Sequence, residues 1–83
     1  MMTKGEYRVG INFNPSADDT VGKIKRAAAD LINLIETIPT QTGDAETCGD
    51  HFIEVLRHKS LAETAVEEAA MWAVKAATKP DRG

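Results

Sequence analysis

Residues 57–79 read RHKSLAETAVEEAAMWAVKAATK, and the rest of the chain has to fit around this stretch. It is rich in Ala and contains neither Gly nor Pro, so helix propensity alone predicts a helix. Ala62, Ala65, Ala69, Trp72 and Ala76 recur at the spacing of one helical face, while Val66, Ala70, Ala73 and Ala77 form a second small-residue stripe part of a turn away. One helical partner cannot cover both. Small side chains let helices approach closely but bury little area each, which suits one stripe packed inside the subunit and the other packed against a second copy. An oligomer is the expected state.

Upstream, Val21, Ile24, Ala28, Leu31, Ile35 and Ile38 follow a 3-4 spacing, the seam of an antiparallel hairpin partner, and Ile32 and Leu34 widen it. Pro15 and Ser16 place a helix start there, with Ser16 as the N-cap and Asp18 and Asp19 near the positive end of the first turn. Pro39 stops this helix, Thr40 to Gly43 is turn-like, and Pro80 ends the second helix. Before Pro15 the alternation of Val9, Ile11 and Phe13 with polar positions predicts an extended arm. The expected fold is all-α: an arm over 1–15, a first helix over 16–39, a loop and possible helix start over 40–49, and a second helix over 50–79, in one domain.

At 83 residues a single core is marginal unless further surface is buried, and self-association is the simplest source. The lone cysteine, Cys48, excludes an internal disulfide and suits a reducing compartment. No apolar run approaches the roughly 20 residues that cross a bilayer, so a membrane partner is not expected. A net charge of −3 argues against general DNA or RNA binding, which needs an excess of cations. A small anion needs only a few cations at one spot, and Lys23, Lys25 and Arg26 form one such cluster while Arg57 and Lys59 form another.

No catalytic constellation is visible, so the chain is not expected to be an enzyme and implies no cofactor. His51 and His58 stand seven residues apart, about 10 Å along a helix, too far to share a metal from one helix. Glu63, Glu67 and Glu68 lack the Glu-x-x-His pairs of a di-iron bundle and read as salt-bridging or helix-surface residues. Phe13 suits either packing just before the helix cap or a flat platform for a base. Lys25 adjoins the first seam and Arg57 the second, the positions at which cations meet subunit boundaries.

Arg57, Ser60-Leu61-Ala62, Thr64, Glu67-Glu68-Ala69 and Met71-Trp72-Ala73, with Phe13-Asn14-Pro15 and Ile24 to Ala28, together resemble a known family. It is the helical-hairpin domain of phage anti-CBASS cyclic-nucleotide sponges, which is shared with an anti-Thoeris sponge. The resemblance implies a homohexamer in the host bacterial cytoplasm that sequesters cyclic di- and trinucleotides without cleaving them. It also implies roles. Phe13, with Tyr7 as the alternative, would stack on a base of a cyclic dinucleotide, and Lys25 would meet its phosphates. Arg57 and Thr64 would line a separate trinucleotide pocket where copies converge, with Arg26 and Lys59 as additional candidates. Pockets between identical subunits match the symmetry of such ligands, because one residue supplies two or three equivalent contacts. The competing expectation is a structural hairpin oligomer that binds a host protein.

Overall fold

The chain forms three helices in the computed structural model: α1 over Lys4–Val9, α2 over Asp19–Glu36 and α3 over Gly49–Ala77. The structure describes residues 1–15, 17–40 and 49–82, and no strand occurs among them. Late α2 lies beside early α3, as Lys59 Nζ donates to the carbonyls of Glu36 (3.1 Å) and Ile38 (2.9 Å), so the two long helices are antiparallel. α2 has no basic residue in its own last turn. The cation that its exposed carbonyls and dipole favour comes from α3 instead.

The extended arm is corrected to a helix. Thr3 caps α1 by accepting from the Glu6 amide (3.1 Å), while the Glu6 carboxylate accepts from the Thr3 amide (2.8 Å), a reciprocal capping box. Gly10 closes the helix in the left-handed region at φ 63°, where a side chain would be strained. Of the alternating residues read as extended, Val9 ends this helix, and Ile11 and Phe13 lie in the turn and loop after Gly10. The next turn is set by Asn14, whose side chain both accepts from the Asp18 amide (3.2 Å) and donates to its carbonyl (2.9 Å).

Asp18, not Ser16, caps α2, accepting from the amides of Thr20 (2.8 Å) and Val21 (3.3 Å); Ser16 itself lies outside the described residues. Ala17, the expected first helical residue, sits at φ 52° and cannot belong to the helix. The turn of 40–43 and Cys48 fall wholly or partly outside the described residues. Of the predicted seam, Val21, Ala28 and Ile35 are buried, Ile24 is half-buried, and Leu31 and Ile38 are exposed. The buried face turns instead toward Lys25, Ala29 and Ile32 because α1 lies on that side. Gly5 makes this possible. A methyl group there would stand 2.1 Å from the Ala29 carbonyl oxygen, so α1 meets α2 backbone to backbone. The Gly5 amide donates to Asn33 Oδ1 at 2.8 Å, and Asn33 Nδ2 reaches Thr3 Oγ1 at 3.0 Å.

On α3, Ala70 is buried, Val66 and Ala73 are half-buried and Ala77 is exposed, whereas of the other stripe Ala62 is half-buried and Ala65, Ala69, Trp72 and Ala76 are exposed. The Val66 stripe is thus the inner one, and Trp72 is not core within the subunit. The chain exposes 6100 Å². A compact monomer of this mass would expose about 4,900 Å².

Candidate anion-binding cleft

α1, α2 and α3 meet around a cleft of about 240 Å³. α1 brings Arg8 and Val9 to it, α2 brings Lys25, and α3 brings Glu67, Ala70, Met71 and Val74. Lys25 is only 7% exposed. Burial of an ammonium requires donors to be used, and its Nζ donates to the carbonyls of Gly10 (3.0 Å) and Phe13. An ammonium has three N–H groups, so two carbonyl contacts leave one for an anion in the cleft.

The same nitrogen lies 5.3 Å from the centroid of the Phe13 ring. Phe13 is 72% exposed, so a ring braced by a cation on one side offers open area to a stacking partner. Phe13 and Lys25 are therefore brought together, by the loop that the Gly10 cap and the Asn14 turn define. Tyr7 is 77% exposed on α1, next to Arg8 in the chain. Both aromatics remain available.

Arg8 was absent from the residues singled out in the sequence, and it is the second cation of the cleft. Its Nη1 donates to Glu63 Oε1 at 3.0 Å and its Nη2 to Glu67 Oε2 at 2.9 Å, with a longer 3.4 Å approach to Thr64 Oγ1. Lys4 Nζ completes the set, 3.0 Å from the same Glu63 oxygen and 2.6 Å from Glu36 Oε1. Glu63 is 1% exposed, so the desolvated carboxylate depends on these cations. Glu67 first, then Glu63, holds the Arg8 guanidinium more firmly protonated than usual. The signal in the sequence was the spacing: Lys4 and Arg8 are one turn apart, and so are Glu63 and Glu67.

Of the remaining candidates, Thr64 borders this cleft through Arg8, whereas Arg57, Arg26 and Lys59 lie apart from it. Arg57 is exposed and pairs only loosely with Glu54 on its own helix, at 3.4 Å. Thr64 is two turns further along α3, about 10 Å away, and its neighbour is Arg8. Arg26 pairs with Glu6 (2.9 Å) and Asp30 (3.0 Å) on the surface, and Lys59 is engaged at the end of α2. Among the described residues, no group of three or more His, Cys, Asp or Glu is placed to hold a metal ion, and no helix is long and apolar enough to cross a membrane.

A family model described as the Acb2/Tad1 hairpin domain matches residues 5–78, which covers all three helices almost end to end. The chain belongs to the Acb2/Tad1 hairpin family. That is the anti-CBASS and Tad1 sponge family that the sequence resembles, and membership accounts for the all-helical hairpin seen here. The Acb2/Tad1 match begins at Gly5, the residue at which α1 touches α2, so α1 lies inside the family unit. No curated protein and no solved structure matches the chain significantly.

Proposed function

We propose that this chain is a phage anti-defence sponge: it binds cyclic oligonucleotide second messengers and withholds them from CBASS effectors without cleaving them. Membership of the Acb2/Tad1 hairpin family is consistent with a sponge for signalling molecules. The observation that carries the finer reading is the pairing of Phe13 with Lys25: an exposed ring 5.3 Å from a buried ammonium, at the edge of a cleft with an apolar wall. A cyclic dinucleotide such as cyclic GMP-AMP has the complementary parts, flat bases to stack and phosphodiesters to meet cations. Arg57 and Thr64 are the residues for a cyclic trinucleotide in a separate pocket between copies.

The assembly proposed is a homohexamer. Its support is an open apolar groove between α2 and α3, where Ile24, Ala27 and Leu31 face Val66, Ala69 and Ala73. Leu31 is 45% exposed there. Covering this groove with another copy would remove part of the excess surface of the isolated chain.

Calorimetric titration with both ligand classes tests the reading. Lys25→Ala is expected to weaken cyclic GMP-AMP at least tenfold and to leave a cyclic trinucleotide nearly unchanged, since a charged hydrogen bond is worth about 1.5–3 kcal/mol. Arg57→Ala is expected to do the reverse. Ligand recovered intact after heat denaturation distinguishes a sponge from an enzyme, whereas no retention would favour a hairpin that binds a host protein.

A further inference from the structure

We infer that Arg8 is a second phosphate-binding cation of the Lys25 cleft, and that the Glu67 carboxylate stands in the free protein where a phosphate oxygen of the ligand goes. The inference rests on the sponge reading and specifies the chemistry of that same site. Arg8 is held at two places of unequal character. Its Nη1 is fixed by Glu63, which is 1% exposed and also bound by Lys4, so this half of the guanidinium is anchored. Its Nη2 is bound by Glu67, whose side chain keeps 42% of its surface and lines the cleft together with Lys25. A half-exposed carboxylate on a charged donor is displaceable by a phosphodiester, because the guanidinium fork accepts either anion in the same geometry.

The charges of the cleft favour the exchange. With Glu67 in place, two cations and one carboxylate line it, and an incoming phosphate meets repulsion from the carboxylate as well as attraction from Lys25 and Arg8. Rotation of Glu67 into solvent removes that repulsion and frees Nη2. Thr64 Oγ1, already 3.4 Å from Nη2, remains beside it. Glu67 therefore sets affinity by opposing binding, and Arg8 contributes to it through an anchored charge.

The test is a cycle of variants titrated with cyclic GMP-AMP at low and at high salt. Glu67→Gln is expected to tighten binding by about two- to fivefold, the upper range of an ion pair at a half-exposed group, and the gain should shrink as salt rises. Arg8→Gln is expected to weaken binding at least tenfold, with Arg8→Lys intermediate, since a lysine keeps the charge and the Glu63 contact but loses the fork. In the Arg8→Gln background, Glu67→Gln should give less than half of its gain. Unchanged or weaker binding by Glu67→Gln, or a full gain without Arg8, would overturn the inference. If the unmutated chain binds cyclic GMP-AMP and Glu67→Gln does not improve on it, this inference alone fails. If the unmutated chain does not bind, the sponge reading fails and takes the inference with it.

Discussion

Lys25 is buried, yet two main-chain carbonyls from one loop, those of Gly10 and Phe13, meet its charge. That arrangement shapes the loop that presents Phe13, and under the proposed function the remaining N–H serves a ligand in the cleft. Lys25→Met keeps the stem but no donor, so it is expected to destabilise the fold by about 1–3 kcal/mol in urea unfolding as well as to abolish dinucleotide binding. A change in binding alone would mean that the carbonyl contacts are dispensable. The position of Lys25 beside a helix seam was legible in the sequence; its burial was not, because both partners lie 12 to 15 residues away in a loop with no periodicity. Glu6 carries a pH dependence. The Thr3 amide, and then Arg26, lower its carboxyl from the ordinary 4.5 to about 2. A lowered value means that the docked state prefers the charged form, so its contribution is present above pH 4.5 and is lost as pH falls toward 2. Lys4 lowers the Glu36 carboxyl in the same direction. Protection of the α1 amides, measured relative to their intrinsic exchange rate at each pH, should fall as pH drops across that window, and Glu6→Gln should flatten the dependence.

α1 is where reading from sequence fell shortest, and the cause is instructive. A helix of six residues carries too little periodicity to stand out, and Val9, Ile11 and Phe13 mimic the alternation of a strand. The stronger signal was Thr3-x-x-Glu6, a capping box that specifies a helix start regardless of length. α3 was legible because its composition leaves few alternatives, and α2 because its apolar spacing is regular. Ile32 was legible as a widening of the seam, but the burial of Ala29 could not be read without α1, whose Gly5 meets it. Gly5 sets how closely α1 docks on α2. Gly5→Ala places a methyl group 2.1 Å from a backbone oxygen that cannot swing away. It is expected to cost about 3 kcal/mol or to release α1, and to lower cyclic GMP-AMP affinity without touching Lys25. Wild-type protection of the α1 amides in that variant would show that the two helices separate more easily than their contact implies.

The whole molecule measures 62 × 29 × 12 Å along its principal axes, so its thickness is about that of one helix. Its two small-residue stripes were legible, but which of them faced inward was not, because Ala70 and Ala69 are neighbours on one turn and only the docked position of α2 separates them. Ala70 is buried, so a charge there should unfold the hairpin; a charge on the outer groove should act on assembly alone. Leu31→Lys is accordingly expected to reduce the mass measured by light scattering to that of a monomer while the helical signal persists. An unchanged mass would place the contact between copies elsewhere. The 12 Å thickness has a thermodynamic consequence. A sheet of helices one layer deep has a small interior of its own, so in the proposed assembly part of the folding free energy comes from encounters between molecules and is subject to mass action. Dilution then acts on such a protein as heat or urea acts on others, and its melting temperature should climb with each tenfold rise in protein concentration.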